Sequence, residues 1–327
     1  MGRTRIRPNI MKTAFSLVAL LLLLAFQVAA QTLKTAEDYN NRGLERQGRG
    51  DIEGAIADYT QAVSLKAKAS TIAIAYNNRA NARMAKNDLA GAVEDYSKAI
   101  ELQPGDEENY YNRGVARLAK ADNDGAIADF SRVIEISPRF PLAYNNRGNA
   151  RRAKGDIDGA IADYSKALEQ NSKYAEAFYN RGAARQSKQD FEGAIKDYSA
   201  AIDLAPQFVD AYVNRGLAKQ SKKDFEGAVA DFTDALKLKT DDSSIYFARA
   251  TARHEAEDLS GALADYSKVI EMDPANAQAF ANRGVIETLQ GNKAQAERDF
   301  DQAFKLDPNL KPQFKDFIEG RKVRPNY

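Results

Sequence analysis

The chain has 327 residues, 47 basic and 46 acidic side chains, no Cys, no Trp and one His, for a formal charge of +1. The balanced charge argues against a general nucleic-acid binder, which would carry a basic excess on one face. The absence of Cys removes disulfides, thiol nucleophiles, Cys-ligated zinc and a lipidated N-terminal Cys, and a single His254 removes any multi-histidine metal site or catalytic relay.

Residues 1–30 have the layout of a secretory signal peptide. Arg3, Arg5, Arg7 and Lys12 form a basic start without an acid. Ala14 to Phe26 is an uncharged run containing Leu20 to Leu24, and Val28-Ala29-Ala30 precedes the polar Gln31. The expected cut is between Ala30 and Gln31. An uncleaved anchor over residues 14–30 is the alternative, although the run is short of the roughly twenty residues that a membrane span needs. Either version places the remainder outside the cytosol, in the periplasm or the extracellular space, with membrane association only through this segment. Cleavage would take the charge from +1 to −3.

The rest of the chain repeats. Arg stands at 42, 79, 113, 147, 181, 215, 249 and 283, with a spacing of 34 after a first interval of 37. Three residues before each Arg is Tyr or Phe, and Gly or Ala follows directly. Thirteen residues after each Arg is Ala, sixteen after is Asp, and seventeen after is Tyr or Phe. Each unit predicts two amphipathic helices. In the fourth unit, Tyr144, Arg147, Gly148 and Arg151 share one helical stripe, and Ala160, Asp163, Tyr164 and Ala167 share another. Lys154-Gly155-Asp156 between them reads as a turn with Asp156 capping the second helix. Pro104, Pro138, Pro206, Pro274 and Pro308 close five units.

A fixed period of this length signals a solenoid, and the pattern resembles the tetratricopeptide repeat, whose 34-residue period is a known signature. The resemblance covers Ala36 to Leu310 as eight units (36–69, 73–106, 107–140, 141–174, 175–208, 209–242, 243–276 and 277–310), with three extra residues at Ser70 to Ile72. It implies an all-α solenoid, a right-handed superhelix of helix-turn-helix units. Two positions depart from the family: Arg replaces the bulky aliphatic at the seventh position throughout, and Arg or Lys replaces a later Tyr in seven units.

The charged columns predict structural ion pairs. Arg42, Arg79, Arg113, Arg147, Arg181, Arg215, Arg249 and Arg283 lie on inward stripes. So do Asp58, Asp95, Asp129, Asp163, Asp197, Asp231, Asp265 and Asp299. Unpaired, each would cost several kcal/mol, so pairing within a unit or between neighbours is expected. The column two residues after the first aromatic is Asn41, Asn78, Asn112, Asn146, Asn180, Asn214 and Asn282, interrupted by Ala248. At roughly 100° per residue it lies opposite the packed face. Asn is a poor helix former whose amide both donates and accepts, so it suits a peptide backbone. The column is similar to the asparagine ladder of the O-GlcNAc transferase repeat domain, which implies peptide binding on the concave face. Hydrogen bonding between repeats, or copied ancestry, is the competing explanation. The carboxylate clamp of chaperone-binding family members is disfavoured, because the matching positions hold residues such as Asn145, Asn149, Tyr179 and Ala183.

Beyond Pro308, Lys311 to Glu319 predicts a capping helix with Phe314, Phe317 and Ile318 on one stripe and Gly320 as its stop. Arg321, Lys322 and Arg324 form a short basic end. No nucleotide, metal or hydrolase motif occurs, so no cofactor, no metal and no catalytic residue are expected. The functional expectation is an exported, non-catalytic scaffold that binds a protein or extended peptide. The alternative is a dedicated non-catalytic subunit of an envelope enzyme or of a polysaccharide or protein export complex.

Overall fold

A computed structural model describes residues 35–320; the leader with its Ala30–Gln31 cut, and the basic end at 321–327, lie outside the described residues. Seventeen α-helices and one short 3-10 turn are described, and no strand occurs among the described residues. The chain divides into two bodies, residues up to Gly125 and residues from Ala126.

The first body holds α1 (Ala36–Gly48), α2 (Ile52–Ser64), α3 (Ala69–Ala85), α4 (Leu89–Leu102) and α5 (Glu107–Ala119). The division falls in the first turn of α6 (Asn123–Ile136), so the third unit, with Asn112, Arg113 and Asp129, is split between the bodies. The second body continues with α7 (Pro141–Ala153), α8 (Ile157–Gln170), α9 (Ala175–Ser187) and α10 (Phe191–Leu204). Next come α11 (Val209–Ser221), α12 (Phe225–Leu238), α13 (Ser243–Glu255) and α14 (Leu259–Met272). It ends with α15 (Ala277–Leu289), α16 (Lys293–Leu306), the 3-10 turn Pro308–Leu310 and α17 (Lys311–Ile318).

Local chemistry sets these boundaries. Second helices of the first seven units start on an Asp whose side chain accepts from the backbone N–H three residues on, as Asp156 does from Gly159 at 2.9 Å, whereas the eighth starts on Asn292 without such a bond. Turns between paired helices pass through a left-handed residue: Gly50, Asn87, Ala121, Gly155, Gln189, Lys223, Glu257 and Gly291 all have positive φ. The three extra residues near Ser70 do not form a loop. They add a turn to α3, which runs for 17 residues where α1 has 13. The first unit boundary, drawn at 69, therefore falls inside α3.

Within each pair the core is small residues against one large ring. Ala160 and Tyr164 of the fourth unit are fully buried together with Ala184 of the fifth. A Cβ on Gly148 would meet Tyr164 Cε1 at 2.7 Å, so the ring presses directly on the α7 backbone. At the C-terminal end, Phe314 and Phe317 of α17 and Leu310 pack on Val285, Phe300 and Ala303. Ile318, expected on the same stripe, is exposed instead: it lines an open cleft with Glu297, Phe300 and Phe304 of α16.

Candidate functional site

The inward charges form a closed network inside seven of the units. In the fourth, Arg147 donates from Nε to Asp163 Oδ2 at 2.9 Å and from Nη2 to Oδ1 at 2.7 Å. This bidentate fork is the strong form of the interaction. The same fork joins Arg79 to Asp95, Arg181 to Asp197, Arg215 to Asp231, Arg249 to Asp265 and Arg283 to Asp299, and Arg42 pairs with Asp58. Every pair lies within one unit. Each of the eight Arg guanidinium groups also sits over the aromatic ring three residues earlier, 5.3 to 5.7 Å from its centroid. The third nitrogen reaches back one repeat: Arg147 Nη1 donates to Ser131 at 3.1 Å, Arg181 to Ser165, Arg215 to Ser199 and Arg249 to Thr233. The hydrogen bond to Asp299 pushes the Arg283 guanidinium above its ordinary value.

A second cation shares six of these Asp residues. Arg151 Nη1 stands 2.9 Å from Asp163 Oδ2, and Arg46, Arg83, Arg185, Lys219 and Arg253 act likewise. In the eighth unit Glu287 occupies that place, and Gln295 Nε2 donates to Asp299 at 3.0 Å instead. The buried tyrosines of the second helices are tied down as well. Tyr164 donates to Asn149 Oδ1 at 2.8 Å, Tyr96 to Asn81 at 2.5 Å, Tyr59 to Gln47 and Tyr198 to Gln186. Burial pushes Tyr59 and Tyr164 up to about 12. The signal was in the sequence: an amide two or five residues after the Arg accompanies each of these second-helix tyrosines.

The asparagine column is placed differently from its expected position opposite all packing. Asn41 is exposed, Asn78, Asn112, Asn146 and Asn214 are half-buried, and Asn180 and Asn282 are buried. Asn78 Nδ2 donates to Asn40 at 2.9 Å, Asn180 Nδ2 to Asn145 at 3.1 Å and Asn214 Nδ2 to the Tyr179 hydroxyl at 2.8 Å. Asn282 Nδ2 donates to the Tyr266 hydroxyl at 3.3 Å, and Asn146 Oδ1 accepts from Asn145 at 3.4 Å. The reason is that a first helix in an array has two covered sides, one against its own second helix and one against a neighbouring unit. The column faces the second of these.

The solvent side lies on other columns. Leu44, Ile74, Leu142 and Leu217 are exposed large apolar residues there, with Glu108, Arg152, Glu176 and Asp210 also exposed. His254 lies near the end of α13 and is half-buried. In the first body Asn77, Asn78 and Asn109 line a polar pocket of about 150 Å³ with Asp106 and Glu108. In the second, Ala183, Gln186, Phe191, Tyr198 and Asn214 line a cleft of about 430 Å³. Among the described residues no group of His, Asp or Glu has a metal-holding arrangement, and no helix is long and apolar enough to cross a membrane.

Two sets of family models match this chain of helix pairs. A TPR repeat model covers residues 80–121, 148–189 and 184–223, and tetratricopeptide repeat models cover 107–140, 209–242 and 247–310. The chain belongs to the tetratricopeptide repeat family. Its described part is an α-solenoid of tetratricopeptide units. It is similar to the C-terminal part of a TPR repeat-containing protein from Cytophaga hutchinsonii, at 21% identity over 74% of this chain and 98% of that one, with a TM-score of 0.63. It is also similar to YrrB, described as a TPR protein with an unusual peptide-binding site, at 26% identity over 55% of this chain and 93% of that one, TM-score 0.52. A tetratricopeptide repeat protein from Parabacteroides merdae is 21% identical over 75% of this chain and 96% of that one, TM-score 0.53. No curated protein matches the chain. Tetratricopeptide repeats bind protein or peptide partners and are generally non-catalytic scaffolds.

Proposed function

We propose that this tetratricopeptide repeat protein is an exported, non-catalytic scaffold that holds a protein or extended peptide along the solvent side of its first helices. One contrast carries the reading. The charged inward columns are the same from unit to unit and are closed upon each other. The solvent-side residue five before each Arg changes at nearly every unit, from Glu37 and Ile74 to Glu108, Leu142, Glu176, Asp210 and Ser244. A constant frame with a variable face is the economy of a recognition surface. The peptide-binding site named for YrrB supports it by likeness, and the layout of residues 1–30 supports export.

The test is capture from an envelope fraction by the purified chain, with intact-mass measurement of the protein recovered there. The expected mass starts at Gln31, and the expected capture is a set of clients competed off by unstructured peptide. A mass retaining residues 1–30 in the soluble cytoplasmic fraction overturns export. A single stoichiometric complex that free peptide does not compete with replaces the peptide scaffold with a dedicated subunit.

A further inference from the structure

We infer that the cleft between α9 and α11 takes one bulky apolar side chain of an extended peptide, and that Arg152 selects an acidic residue beside it. The inference rests on the scaffold reading above and gives it a partner chemistry.

Two single-copy departures from the repeat meet here. The residue two after the Arg is Leu44, Asn81, Val115, Asn149, Leu217, Thr251 or Val285 in the other units, and only Ala183 stops at Cβ. Behind it, Phe191 and Tyr198 of α10 form the floor of the cleft. In the second and fourth units, Asn81 and Asn149 at this column reach the equivalent hydroxyl. In the fifth unit the hydroxyl turns to Gln186 at 2.8 Å, one helical turn on. The cleft, about 430 Å³, is wide open to solvent, so it offers room for one side chain laid on it rather than an enclosed ligand pocket.

The rim matches a peptide backbone. Gln186 spends its oxygen on Tyr198, which leaves its N–H groups as donors. Asn214 spends its Nδ2 on Tyr179, which leaves its oxygen as an acceptor.

The charge comes from Arg152, the only cation in its column, where the other units have Gln47, Met84, Leu118, Gln186, Gln220, His254 and Thr288. The neighbouring cations are consumed: Arg147 and Arg151 by Asp163, Arg181 and Arg185 by Asp197, Lys188 by Asp158. Arg152 is exposed, its partner is the neutral Tyr164 hydroxyl, and no carboxylate pairs with it among the described residues. Arg152 stands five residues after Arg147, in the column that Gln186 of the cleft rim holds in the next unit; burial pushes the Tyr179 and Tyr198 hydroxyls up, and Arg152 opposes this at both. Glu176 and Asp210 lie seven residues up the helices from Ala183 and Leu217, about 10 Å away, and disfavour a second acidic residue there. Adjacent helix axes are about 8–10 Å apart, roughly three residues of extended chain, which sets the spacing between the acidic and apolar side chains.

The probe is a ten-residue Ser/Gly peptide with one Glu three residues from one Trp. Because the protein has no Trp, peptide emission reports on the indole alone. Titration with the full chain is expected to give a saturable blue shift. Ala183→Leu is expected to weaken binding at least tenfold with an unchanged thermal midpoint, since Leu44 and Leu217 already occupy this column. Arg152→Glu is expected to weaken the Glu peptide and strengthen its Lys counterpart. Equal binding to the wild type and Ala183→Leu overturns the cleft while leaving the scaffold reading in place. No saturable shift with either peptide overturns the cleft also, and envelope capture then decides the scaffold separately.

Discussion

Asp163 is 3% exposed and answers two guanidinium groups at once, Arg147 through a fork and Arg151 through Nη1. Asp163→Ala strands two cations in a partly buried seam. The expected loss is about 3–5 kcal/mol, read as a drop in the thermal midpoint by circular dichroism. Replacing Arg147 by Leu alongside removes only one of the stranded charges. Arg151 would keep Gly159 O at 3.3 Å and a distant Asp156 at 3.8 Å. The double variant should therefore recover part of the loss, and a triple variant with Arg151→Leu most of it. A triple variant as unstable as Asp163→Ala would show that packing, not charge, sets the cost. The Arg–Asp match was legible because both residues recur sixteen apart on apolar stripes. The sharing by Arg151 was not, because stripe membership does not tell which of two cations one turn apart reaches a given carboxylate.

At the scale of one helix pair, the turn is the strained part. Lys223 has φ 63°, and Gln189 and Glu257 the same, where the first, fourth and eighth units place Gly50, Gly155 and Gly291. A side chain in that region costs about 1–2 kcal/mol, against roughly 0.5–1 kcal/mol of extra entropy that Gly loses on folding. Lys223→Gly should thus raise stability by up to about 1 kcal/mol, measured as an upward shift in the thermal midpoint. A lower midpoint would show that the turn relaxes out of the left-handed region in solution. The helix pairs themselves, their Asp caps and their Pro stops were readable, since all depend on residues within a few positions of each other. The three-residue insertion was seen but its consequence was not: Ala69 to Ile72 form the first turn of α3, since no Gly or Pro among them breaks the helix and the cap-competent Ser70 and Thr71 are taken up inside it.

Across the whole molecule, a repeat array is stabilised by what each unit lays on the next, so its ends need cover. Phe314 is fully buried against the eighth unit. Phe314→Ala should cost about 3–5 kcal/mol locally. Hydrogen exchange is the check: amides of α15 and α16 should exchange faster while those of α7 and α8 stay protected. Uniform acceleration would mean that the second body unfolds as one unit.

The sequence by itself determined the period, the two helices of each unit, the inward Arg–Asp pairing, the cap at the C-terminal end and the family. All of these follow from spacing within one turn or one repeat. Only the tertiary structure decided which side of the first helices stays open. A helical wheel places Asn180 and Asn282 opposite their own second helix, but both are covered. Asn180 bonds to Asn145 and Asn282 to Tyr266, each a residue of the preceding unit. Cover by a neighbour is a property of packing between units, and no periodicity inside a helix encodes it. The same physics made Ala183 informative: a small residue marks a cleft only once the rings behind it are in place.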